Sequence, residues 1–70
     1  MKTIDINGKQ FAVQGEFKNG NFHLAGPRGG SDVFAKPTEA GYFFYKATGG
    51  PAIKDQRGLI ISATREQLAA

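Results

Sequence analysis

Cysteine is absent from the 70 residues, so no disulfide staples this chain and the secreted disulfide scaffold is removed as a reading. Histidine occurs once, at His23, and serine only at Ser31 and Ser62. One imidazole and scattered carboxylates do not make the clustered ligands of a zinc or magnesium site. A nucleophilic triad would have to bring His23 to a serine remote in sequence, and no spacing supports that. Neither Gly-rich stretch ends in the Gly-Lys-Ser/Thr of a phosphate-binding loop, and neither leads into a helix. The expectation is a protein that is not an enzyme and uses no cofactor and no metal.

Long apolar runs are also missing. None approaches the length of a membrane span, and the residues behind Lys2 lack the apolar stretch of a signal peptide. A soluble, cytoplasmic chain with no membrane partner is expected. Like charges form no block: nine Lys/Arg against six Asp/Glu give a net +3, which permits an acidic partner without demanding one. Residues 1–70 are read as one small domain, which at this size buries only about 60% of the surface its unfolded chain exposes. With the usual staples missing, either the sheet packs well alone or a partner adds to the core, a homodimer included.

What is present is a strand pattern with turns written into it. Asn7-Gly8 and Asn19-Gly20 are the strongest short hairpin signal, because a type I′ turn needs φ > 0 at both central residues. Two-residue loops at both sites place Ile6 opposite Lys9, Ile4 opposite Phe11, Phe17 opposite Phe22 and Gly15 opposite Leu24. Strand alternation then gathers Ile4, Ile6, Phe11, Val13, Phe17, Phe22 and Leu24 on one face, with Glu16 and His23 facing each other on the other. A one-residue slip at either turn would put part of the apolar set in water.

Gly26–Ser31 reads as a loop, Asp32–Lys36 as a strand stopped by Pro37, and Tyr42–Thr48 as the strongest β-former, with four aromatics in a row. If Lys36 faces Tyr42, then Phe34 faces Phe44 and Asp32 faces Lys46. A second loop follows from Gly49 to Gly58, with Ile53 tucked beneath it. Leu59–Ala63 reads as a last strand that is central or covered on both sides. Thr64 and Gln67 have capping-box spacing, and the short helical turn they start needs Leu68 docked on the sheet. About six short strands with Gly/Pro-rich turns predict an all-β small antiparallel barrel or sandwich, SH3-like or a rolled sheet. It starts from an N-terminal three-stranded meander.

Two features point to binding. On the expected outer face of the aromatic hairpin, Phe34, Tyr42 and Phe44 stand with Lys36 and Lys46, either as an apolar docking patch with a charged rim or as a base-stacking platform. The alternative is that this face is the second side of the core, beneath Leu59 and Ile61. The Gly/Pro loops carry Arg28, Lys54 and Arg57, placed to meet phosphates or acidic side chains, or simply to be solvated. Phosphate contacts supply most nucleic-acid affinity, and +3 with interspersed acids is weak for that purpose. The preferred expectation is therefore a protein-interaction module, a small β adaptor or inhibitor docking through the aromatic patch or an exposed strand edge. A nucleic-acid-binding small β-barrel is the second.

Overall fold

Asn7 and Gly8 sit at φ 53° and 84°, the left-handed pair that a type I′ reversal requires. The computed structural model, which describes residues 2–69, pairs β1 (Thr3–Ile6) with β2 (Lys9–Glu16) in the expected register, Ile4 opposite Phe11 and Ile6 opposite Lys9. Asp5 locks the turn, its carboxylate accepting the Gly8 amide and the Gln10 side-chain amide, each at 2.9 Å. Then come β3 (Phe22–Ala25), β4 (Val33–Thr38), β5 (Gly41–Lys46) and β6 (Ser62–Ala63). Each strand runs antiparallel to the one before, so all six form one sheet in chain order, curled into a half-barrel. A 3-10 turn at Pro27–Gly29 separates β3 from β4, and α1 (Arg65–Leu68) follows β6.

The core fills the concave side. Phe44, Leu24 and Leu68 are fully buried there among Ile6, Phe11, Phe22, Val33, Ala35 and Ala63. Ile53 packs against this cluster from the long loop, as expected. So does α1. The Thr64 hydroxyl accepts the Gln67 amide at 3.2 Å, and the Gln67 side-chain oxygen accepts the Thr64 amide at 2.8 Å, which is the predicted capping box. A single helical turn has no stability of its own, and this one is held by Leu68. The Cα radius of gyration, 11.0 Å, matches the ~11 Å of a compact chain this long, so the lone sheet curls over its apolar side rather than lying flat.

The second hairpin departs from expectation. Its loop is three residues, Lys18-Asn19-Gly20, because Asn19 keeps φ < 0 and its side chain accepts the Asn21 amide at 3.0 Å, leaving Gly20 (φ 92°) as the left-handed residue. Glu16 therefore faces Phe22, and Gly15 faces His23. A bulge between Val13 and Gly15 then shifts the register again, so that Val13 faces Leu24. The two slips cancel for Ile4, Ile6, Phe11 and Val13, which stay on the core side. They do not cancel for Phe17, which lies on the outer face at 46% exposure, or for Glu16, which lies on the inner one.

The fourth hairpin is one residue out as well. Thr38 faces Gly41, Ala35 faces Phe44 and Val33 faces Lys46, so β4 runs through Pro37 instead of stopping before it. Proline is tolerated because its missing amide would point toward β3, which has already ended opposite Ala35. The Thr38 hydroxyl donates to the Gly41 carbonyl at 2.6 Å and accepts the Ala40 amide at 3.1 Å, closing the turn later than the proline suggested. The last strand is shorter than expected. Only Ser62–Ala63 pairs with β5, while Leu59 and Ile60, 57% and 45% exposed, lie in a small reversal bridged by Lys54 and Ile60.

Glu16, placed inward, finds Arg65. The guanidinium donates to the two carboxylate oxygens at 2.8 and 3.0 Å and to the Tyr42 hydroxyl at 3.1 Å. Its Cζ lies 5.5 Å from the centre of the Phe22 ring. This fork ties the far end of β2 to the C-terminal turn. The hydrogen bonds hold the Glu16 carboxyl below the ordinary glutamate range against partial desolvation, and they raise the Arg65 guanidinium. Asp55 is lowered too, first by the Leu59 amide and then by Arg57.

Two outcomes are expected. Phe44→Ala should cost about 3–5 kcal/mol by denaturant titration, most of what a domain this small has, while Phe43→Ser should cost under about 1 kcal/mol. Equal costs would contradict the register. The lowered Glu16 and Asp55 carboxyls contribute stability that is present above their unfolded-state values of about 4 and is lost as pH falls through the lower folded-state ones. The thermal midpoint by circular dichroism should therefore fall on acidification. Glu16→Gln should lower it at neutral pH and flatten that fall; a parallel curve would exclude the Arg65 fork as a cause.

Candidate functional site

Alternate residues of the same strands that build the core build a second surface. Strand pairing sets Gly15, His23, Phe34 and Tyr45 in one row across β2 to β5 on the convex side, with Lys36, Phe43 and Ser62 in the next row. Phe17 leans onto the first row. Its ring stacks on His23 (6.0 Å between centroids, 20° between planes) and meets Phe34 edge-on (5.7 Å, 75°), while His23 and Phe34 lie 5.6 Å apart. These are favourable spacings for ring pairs. Lys36 Nζ stands 4.9 Å above the centre of the Tyr45 ring. None of Phe17, Phe34, Phe43 and Tyr45 belongs to the core or packs against it.

Of the residues expected on this face, Phe34 and Lys36 are there. Tyr42 and Phe44 are not: the shifted β4–β5 register turns both inward, Phe44 to full burial and Tyr42 to the Arg65 fork. Lys46, paired with Val33, also goes to the inner side and not to Asp32. Phe43 and Tyr45 take the outer places. The alternation that identified an outer face was legible, but its parity was not. Leu59 and Ile61 do not cover it: Leu59 is exposed, and Ile61 packs on the core side.

His23 does not meet Glu16. Its Nε2 lies 2.7 Å from Asp32 Oδ2 in a half-exposed pair, and among the described residues this is its one side-chain hydrogen bond. The pair anchors the ring that Phe17 stacks on.

The loop cations separate. Lys54 and Arg57 lie in the reversal after Ile53, where the Lys54 carbonyl accepts the Asn7 side chain at 3.0 Å and Arg57 sits 3.6 Å from Asp55. Arg28 belongs to a different place, a cleft of about 790 Å³ at the open end of the half-barrel. There it joins Lys46 and Lys9 around a floor of Ile6, Phe11, Val33 and Ile53. Lys9 was missed as a site residue, although its place opposite Ile6 already put it at the rim of the apolar face.

A second concavity, about 570 Å³, is the seam between the outer strands, lined by β1 and by Ile61–Ala63 with Phe44 at its base. The edge it exposes is short and charged. β1 has four residues, includes Asp5, and is preceded by Lys2, whose ammonium donates to the Glu66 carbonyl at 2.7 Å. Among the described residues no helix is long and apolar enough to cross a membrane. Against this fold and these surfaces, no family model matches the chain, and no curated protein or solved structure matches it either.

Proposed function

We propose that this chain is a non-enzymatic protein-interaction module that docks through the ring cluster of its convex face. The observation that carries this reading is the row His23, Phe34 and Tyr45, capped by the exposed Phe17, on a side of the sheet that no core residue shares. Rings that pack on one another before a partner arrives lose little freedom on binding, and aromatic residues are the usual anchors of protein interfaces. Lys36, His23 and Asp32 supply a polar rim of both signs. The β1 edge is short and carries Asp5, and the β6 edge is only two residues long, which discourages strand addition and favours the face over the edge.

Nucleic-acid binding remains the second reading, on the strength of Lys36 beside Tyr45. It is less favoured because stacking rings and phosphate-binding cations need to share a surface. Here the rings lie outside, while Lys9, Arg28 and Lys46 lie at the mouth of the inner cleft.

Phe34→Ser/Tyr45→Ser should keep the wild-type circular dichroism and lose the partner that the tagged wild-type chain retains from its own host; retention by the double variant would refute the face. Tyrosine emission should stay unchanged when single-stranded or duplex oligonucleotides are added at low salt. Salt-sensitive quenching that vanishes in the same variant would instead establish the nucleic-acid reading.

A further inference from the structure

The open end of the half-barrel combines three features that the ring cluster does not use. It has an apolar floor, it has cations drawn from three separate elements, and no acidic side chain lines it. Lys9 begins β2, Arg28 sits in the 3-10 turn and Lys46 ends β5. None of the three forms a salt bridge among the described residues. The nearby acids are engaged elsewhere: Asp5 with the Gly8 amide and Gln10, Asp32 with His23, and Asp55 with the Arg57 and Leu59 amides.

The loop that carries Arg28 is built tightly. A Cβ on Gly26 would stand 2.6 Å from the Ser31 carbonyl oxygen, so the loop's two ends touch. The Gly30 amide donates to the Pro27 carbonyl at 2.9 Å. Between them Arg28 holds φ 55° and ψ 34°, a left-handed conformation that costs an arginine free energy and that glycine would adopt freely. Strain of this kind gathers at sites that bind.

We propose that this cleft takes an acidic peptide segment, with an aliphatic or aromatic side chain seated on Phe11, Val33 and Ile53 and carboxylates on either side meeting Lys9, Arg28 and Lys46. Three cations on three elements match several spaced charges better than a single compact anion. The apolar floor asks for an apolar side chain between those charges. The site lies across the sheet from the ring cluster, and neither reading needs the other.

The test uses a dye-labelled peptide alternating Asp or Glu with Leu and Phe, and its Asn/Gln counterpart, followed by fluorescence anisotropy. The acidic peptide should bind the wild-type chain, weaken as salt is raised, and bind the Lys9→Gln/Arg28→Gln/Lys46→Gln variant at least about tenfold less well. The amide peptide should bind as weakly as that variant binds the acidic one. Phe34→Ser/Tyr45→Ser should leave the affinity unchanged, which separates this site from the outer face. Amide shifts in the wild-type nuclear magnetic resonance spectrum should gather at Lys9, Arg28–Ser31, Lys46 and Ile53, so the site can be located even where the triple variant folds poorly. The proposal is overturned by silence of the acidic peptide, by equal binding of the amide peptide, or by shifts centred on Phe17 and Phe34. It is also overturned if inorganic phosphate or an oligothymidylate displaces the peptide as readily as unlabelled peptide does, since the cleft would then be a general anion patch.

Discussion

A single sheet has no second layer to cover its apolar face, and this constraint shapes the whole molecule. Two devices meet it. The strands curl until Leu24, Val33, Ala35 and Phe44 are enclosed, and α1 drops Leu68 onto the cluster from the end of the chain. Neither would be enough alone, because one helical turn cannot hold itself together and an uncurled sheet would leave Phe44 wet. The Arg65 fork on Glu16 and Tyr42 pins the turn where it is needed. The Arg65 and Glu16 side chains are partly exposed, 55% and 35%, so water screens their attraction. What the fork supplies is geometry, a bidentate contact whose planar donors fit one carboxylate in one orientation. Because the turn closes only one end of the half-barrel, the other end stays open and its floor remains reachable.

The legibility of this fold in the sequence follows the local determination of each reversal. Asn7-Gly8 keeps its two-residue loop with Asp5 bonded across it to the Gly8 amide, and its register stands as read. Asn19-Gly20 carries the same letters, but Asn19 had another use for its side chain, accepting the Asn21 amide, and the loop grew by a residue. No feature of the dipeptide separates the two cases; the decision lies in what flanks it. Pro37 misled in the opposite direction, since its missing amide matters only where a neighbouring strand is present to accept one, and β3 stops short of it. The capping box of Thr64 and Gln67, entirely local, was readable, and so was the dependence of that turn on Leu68. The all-β class was thus secure while the parity of two hairpins was not. Parity is what decides whether Phe44 and Tyr42 or Phe43 and Tyr45 face outward.

Charge is sorted by the same geometry. The mild net charge of +3 hides an uneven distribution. On the convex side, His23 and Asp32 pair beside the rings. At the closed end, Glu16 and Arg65 neutralise each other. Lys9, Arg28 and Lys46 are left at the open end without a carboxylate partner among the described residues. Composition alone gave no reason to expect a positive field anywhere, because a sum over residues cannot show that the acids are spent in one place and the bases kept in another.

The bulge at Gln14 couples the core to the outer face. Given a three-residue loop after β2, an unbulged strand would set Gln14 opposite Leu24 and turn Phe11 and Val13 to solvent. The extra residue restores them to the core while leaving the end of the strand reversed. That reversal has two consequences at once: it delivers Glu16 to the inner side, where Arg65 takes it, and it delivers Phe17 to the outer side, where it stacks on His23. A regular strand that kept Phe11 and Val13 inward would also turn Phe17 inward and Glu16 outward, so the closure of the core and the most exposed ring of the docking face depend on the same irregularity. The surface proposed to bind is held in place by the contacts that keep the chain folded.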